Sequence, residues 1–142
     1  MKSKLTLLGA VTTILVFLLA CSPASRQVSV EYSCDNFYGQ PHISKEVQVA
    51  VDGTLTVTLC SNPTTGFLWS ETASISDQTV LQQTSHEFKP PEAENIVGGA
   101  GKEVWTFKAL KKGTSTIHME YSRPWEGGEK AEWTFLLTVT VK

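Results

Sequence analysis

From Gln27 to the end of the chain, apolar and polar residues alternate with a period of two, and helical periodicity is almost absent. Eight stretches carry the alternation, each bounded by turn-forming residues: 27–33, 44–50, 54–60, 67–72, 80–88, 103–110, 114–122 and 131–141. In the third, Leu55, Val57 and Leu59 share one face and Thr54, Thr56 and Thr58 the other. Trp105, Phe107 and Ala109 line up in the same way, as do Ile117, Met119 and Tyr121, and then Trp133, Phe135, Leu137, Val139 and Val141. Successive side chains of a strand point to opposite faces, so each stretch has one face for a core and one for solvent. These inward residues are enough for two facing sheets. The pattern predicts an all-β, immunoglobulin-like antiparallel sandwich of about eight strands, with a closed barrel from the same strands as the alternative.

If each connection reverses the chain, the loops sort into two ends. Val51-Asp52-Gly53 and Lys111-Lys112-Gly113 read as short connectors that use glycine for a positive φ, as a tight hairpin does. At the opposite end fall three longer loops: 61–67 (SNPTTGF), 89–102 (KPPEAENIVGGAGK) and 122–130 (SRPWEGGEK). In the first, Pro63 restricts φ, Asn62 can bond the backbone beyond it, and Gly66 permits a left-handed residue. This accounts for a rigid turn but not for the paired Thr64 and Thr65 at its tip. In the third, Pro124 and Gly127-Gly128 leave Trp125 on a loop, either as an interface anchor or folded back over the sandwich end.

The amino end breaks the alternation. Lys2 and Lys4 precede an apolar run from Leu5 to Ala20, which stops at Cys21. The run is short for a spanning helix, which needs about 20 apolar residues, and Leu18-Leu19-Ala20-Cys21 resembles a lipoprotein cleavage box. Residues 1–20 are expected to be a signal peptide, 21–27 a lipidated anchor and tether, and 28–142 the folded domain. Leu19 is bulkier than such a box usually carries, so plain secretion and an uncut membrane-anchored signal are the alternatives. Lipid on Cys21 would hold the domain in the cell envelope, against a membrane surface.

Of the three cysteines, assigning Cys21 to lipid leaves Cys34 and Cys60, which loop counting places beside the same end. A bridge would close a loop of about 26 residues, worth roughly 3 kcal/mol in the chain-entropy model. Two buried free thiols are the alternative, because Cys60 falls on the threonine side of its strand.

Charge and side-chain chemistry narrow the function classes. Without Lys2 and Lys4 the chain has 10 basic and 14 acidic side chains, a formal −4, which disfavours nucleic acid as a partner. His42, His86 and His118 are scattered, with no metal-ligand spacing, and no Gly-x-Ser-x-Gly elbow occurs. An enzyme, a cofactor and a small-molecule substrate are therefore not expected.

Three motifs in order, NPTTGF (Asn62 to Phe67), VGGAG (Val97 to Gly101) and RPWE (Arg123 to Glu126), resemble the chagasin-like inhibitors of papain-type cysteine proteases, here in a bacterial or archaeal lipoprotein form. The resemblance covers about Val47 to Val141. It implies an immunoglobulin-like sandwich whose three end loops form a wedge that blocks the protease cleft reversibly, without being cleaved. By resemblance, Thr64 and Thr65 would lie near the catalytic cysteine and histidine, with Asn62, Pro63, Gly66 and Phe67 shaping their loop. Trp125 would lie on the primed side of the cleft, held by Arg123 and Pro124, and Gly98, Gly99 and Gly101 would flank the non-primed side. The family's middle loop often reads Gly-any-Gly-Gly, whereas Ala100 stands third here. A membrane-anchored module binding an envelope protein or polysaccharide through the same loops is the competing reading.

Overall fold

The computed structural model describes residues 23–91 and 98–142. The expected signal peptide, the expected lipidation site Cys21 and Val97 of the middle motif lie outside the described residues. The elements in order are β1 (Gln27–Tyr32), α1 (Cys34–Gly39), β2 (His42–Val49), β3 (Thr54–Ser61), β4 (Leu68–Trp69), β5 (Ser74–Ile75), β6 (Leu81–Lys89), β7 (Gly101–Ala109), β8 (Gly113–Ser122) and β9 (Trp133–Val141). One sheet has the order β1-β3-β7-β6; the other has β2-β9-β8-β4, with β5 also paired to β8. No ladder joins the two sheets among the described residues, so the domain is an all-β sandwich and not a barrel.

The inward faces read from the sequence form the core. Leu55, Val57, Leu59, Trp105, Phe107, Ala109, Ile117, Met119, Phe135, Leu137 and Val139 are fully buried between the sheets. Full burial of one such large side chain contributes about 1.5–3 kcal/mol.

Four details differ from the sequence reading. The sheets are mixed, not purely antiparallel: β1 runs parallel to β3 and β2 parallel to β9. The physical reason is that β1, β2 and β3 alternate between sheets as the chain reverses, so strands of equal direction become neighbours. Second, the stretch 67–72 forms only the two-residue β4, and β5 follows as a separate short strand on β8. Third, residues 51–53 and 111–113 join strands of opposite sheets, so neither connector closes a hairpin ladder. At the first, Asp52 takes the positive φ of 63°. Gly53 is needed for space instead: a Cβ there would lie 2.7 Å from the Ala50 carbonyl oxygen.

Fourth, α1 has no counterpart in the alternating pattern. Its N-terminus is a capping box, in which the Ser33 side chain accepts from the Asn36 amide and the Asn36 side chain accepts from Ser33 N–H. The helix places Phe37 fully inside the core and stacks it on Trp133, 5.0 Å between centroids. It also carries Cys34 to Cys60. The two are bridged, with Cα atoms 5.1 Å apart, well within the usual span. Cys60 does lie on the threonine side of β3, and the bridge therefore pins α1 against that face.

Candidate functional site

The first and third long loops and the described parts of the middle one, 89–91 and 98–102, lie at one end of the sandwich, and hydrogen bonds join all three. In the first, Pro63–Thr65 forms a 3-10 turn capped at its start by Asn62 and closed by Gly66 in the left-handed region (φ 81°). The Asn62 side chain serves two loops. Its oxygen accepts from Thr64 N–H (3.3 Å) and from Thr64 Oγ1 (2.6 Å), while its Nδ2 donates to the Gly98 carbonyl (3.0 Å). The backbone of the same residue is fixed from below, where its N–H donates to the Tyr121 hydroxyl (2.9 Å). Thr65 Oγ1 donates to the Asn62 carbonyl (2.7 Å). Thr64 and Thr65 are thus exposed but held by their own hydroxyls.

Arg123 ties the third loop to the first. Its Nη2 donates to the Thr65 carbonyl (3.3 Å) and its Nη1 to Glu129 (2.7 Å). The guanidinium lies over the Phe67 ring, 4.4 Å from its centroid, and 5.9 Å from that of Trp125. Below it a column of rings continues: Phe67 on Tyr121 (5.4 Å), Tyr121 on Trp133 (4.7 Å), and Trp133 on Phe37. The loop end is therefore seated on an aromatic stack that reaches α1.

Trp125 is 52% exposed, so it does not fold into the sandwich end. Its indole leans on Gly66, where an added Cβ would come within 2.6 Å of the ring. Lys130 Nζ holds the same loop through the carbonyls of Arg123 and Trp125, and Pro124 is exposed beside them. In the middle loop Gly98 adopts φ 79° and sits beside Thr64. Gly99 is half-buried, whereas Gly101 is buried and opens β7 opposite Ser61. A Cβ at Gly101 would meet the Lys89 carbonyl at 2.3 Å, so its lack of a side chain serves strand packing and not an outward surface. Phe67 is buried in the same sense and supports its loop from within.

One cluster beneath the loops was missed in the sequence. Glu103, 4% exposed, accepts from Ser61 Oγ (2.6 Å) and pairs with His86 Nε2 (2.7 Å), and the His86 ring stacks on Trp105 (4.9 Å). The order of contact is Ser–Glu–His, so the imidazole does not touch the serine hydroxyl and cannot take its proton as a hydrolase triad requires. Its effect is to join the root of the first loop to the strand leaving the second. The available signal was a charged residue at an inward position of the alternating segment 103–110. Among the described residues no group of three metal-ligating side chains is gathered.

The comparisons with known proteins agree with this geometry. The family model of the chagasin family peptidase inhibitors I42 matches residues 48–139. Amoebiasin-2 of Entamoeba histolytica is 28% identical over 120 residues, covering 77% of this chain and 92% of its own. Chagasin of Trypanosoma cruzi is 32% identical over 88 residues, 61% of this chain and 79% of that protein. The crystal structure of a cysteine protease inhibitor from Entamoeba histolytica superposes with a TM-score of 0.62 at 22% identity, over 82% of this chain and 97% of that one. Ordered motifs, a sandwich with three loops gathered at one end and a family match over most of the folded part lead to one assignment: this chain belongs to the chagasin family of peptidase inhibitors.

Proposed function

We propose that the protein is a reversible, tight-binding inhibitor of papain-type cysteine proteases that blocks the active-site cleft with loops 61–67, 89–102 and 122–130. The observation that carries this reading is the convergence of the exposed Thr64–Thr65 tip, the Gly98 turn and the half-exposed Trp125 at one end, joined by the Asn62 and Arg123 hydrogen bonds. Inhibition by occlusion needs a stiff wedge and no reactive group of its own, and loops already held in place lose little entropy on binding. Thr64 and Thr65 are then the residues nearest the protease nucleophile. Trp125 is the aromatic anchor beside the cleft, and Gly98 and Gly99 allow close backbone approach on the other side. Asn62, Pro63, Gly66, Phe67, Gly101, Arg123 and Pro124 hold these contacts in place.

The test is a titration of papain activity with the chain from Ser22 onward, which contains every core residue from Phe37 to Val141. Stoichiometric loss of activity is expected, relieved by Thr64→Ala and Trp125→Ala at unchanged melting temperature. A folded domain that leaves papain and related proteases active would overturn the reading.

The same proposal includes export and attachment to a membrane by lipid on Cys21, motivated by the charged and apolar leader that ends there. Replacement by serine, Cys21→Ser, is expected to move the protein from the membrane fraction to the soluble one. Unchanged fractionation would argue against the lipid.

A further inference from the structure

Beside the wedge, the sandwich is open along one side. Strand β6 carries its inward-facing residues up to the second loop: His86 lies opposite the buried Trp105, and Phe88 opposite the buried Glu103. The facing edge of the other sheet is β4, only two residues long, so it does not cover them. What remains is a groove of about 480 Å³ over the β4 edge. Its apolar surface comes from Phe88 (42% exposed), Leu68 (44% exposed), Pro63 and Pro124. Pro63 and Pro124 belong to the first and third loops, and Phe88 immediately precedes the second. The groove is therefore continuous with the wedge surface.

Its rim is acidic. Glu71 and Glu120 line it, and neither carboxylate makes an ion pair among the described residues. The lysine of the rim, Lys130, is engaged by the carbonyls of Arg123 and Trp125. The floor is stiff, since Glu103 is held between Ser61 and His86.

We infer that this groove is a second contact for the inhibited protease, receiving an apolar side chain flanked by a basic one from the wall that borders its cleft. This rests on the inhibitor reading, because a wedge inserted into a cleft brings the adjoining wall against the surface between its first and third loops. The apolar floor supplies burial, and the two carboxylates select a basic neighbour and speed the approach.

The inference is tested with papain and the chain from Ser22 onward, comparing Leu68→Ser, Phe88→Ser and the pair Glu71→Lys with Glu120→Lys. The serine variants are expected to raise the inhibition constant about tenfold, mainly through faster dissociation. The charge-reversed variant is expected to associate more slowly and to lose the salt dependence of association. Hydrogen exchange at Leu68 and around Phe88 is expected to slow in the complex. If Phe88→Ser lowers the melting temperature, Leu68→Ser decides alone, since Leu68 lies outside the core. Equal inhibition by wild type and Leu68→Ser, with no protection at the groove, overturns the second contact and leaves the inhibitor reading standing. Failure of the wild type to inhibit removes both. Concentration-dependent self-association abolished by Leu68→Ser would assign the groove to a second copy of this chain instead, which also overturns the inference.

Discussion

Gly66 separates two roles that glycine plays at the loop end. Its φ of 81° penalises any other residue by about 1–2 kcal/mol, and its missing side chain makes room for Trp125. Gly66→Ala is therefore expected both to lower the melting temperature by several degrees and to weaken papain inhibition by tenfold or more, as the indole is displaced. Gly127 has a comparable φ of 73°, but a Cβ added there would meet nothing within 4 Å. Gly127→Ala should destabilise to a similar extent yet leave inhibition intact, a contrast read by running melting and titration on both variants. Arg123→Lys tests the guanidinium: an ammonium keeps the charge but not the planar stack on Phe67 with its bond to the Thr65 carbonyl. Weaker inhibition is expected, with little change in melting. Such a role could not be read from the order Arg-Pro-Trp alone, because Phe67 and Arg123 meet only after the chain has folded.

Elements hold the loops through their roots. The short β4 hands the first loop into the sheet, and Trp69 donates to the Cys60 carbonyl (2.8 Å), beside the bridge to α1. Removing the bridge with Cys34→Ser and Cys60→Ser is expected to cost about 3 kcal/mol, measured by denaturant unfolding. Ser61, Glu103 and His86 form the other root. Glu103→Leu leaves a buried hydroxyl and an imidazole without their acceptor, and a loss of about 2–4 kcal/mol is expected. The long strands were legible because an extended run of alternating residues leaves only one register for the apolar face. The two-residue strands β4 and β5 and the six-residue α1 carry too few side chains to establish a period. The capping box at Ser33 and Asn36, with Asp35 in the first turn, was the local trace of α1.

For the whole molecule, stability against acid depends in part on Asp77, whose carboxylate accepts from the Thr79 hydroxyl (2.6 Å) and the Thr79 N–H (2.9 Å). These bonds, the hydroxyl first, hold its pKa below the ordinary value of 3.8. The folded form thus binds this proton less readily than the unfolded chain. The stabilisation is present above the unfolded pKa and is lost as pH falls through the folded one. The stability gap between wild type and Asp77→Asn should accordingly shrink as pH drops below about 4, as followed by denaturant midpoints. At the alkaline end burial raises the pKa of the Tyr32 phenol. The unfolded chain ionises first, and stability declines as pH rises past the unfolded value near 10.

The alternation by itself determined the core. Leu55, Trp105, Ile117 and Phe135 needed only a period of two to be placed on buried faces, since register in a half-buried strand is set by which face is apolar. The reversals of the chain likewise put three unusual loops at one end, and the order of their motifs pointed to the family. Tertiary structure alone decided which strands became neighbours, and so made two pairs parallel. It also decided that α1 would be stapled to β3, that Arg123 would rest on Phe67, and that a buried Glu103 would find Ser61 and His86. Each of these joins residues far apart in the chain through specific distances and angles. A one-dimensional pattern records which way a side chain points, but not what stands opposite it.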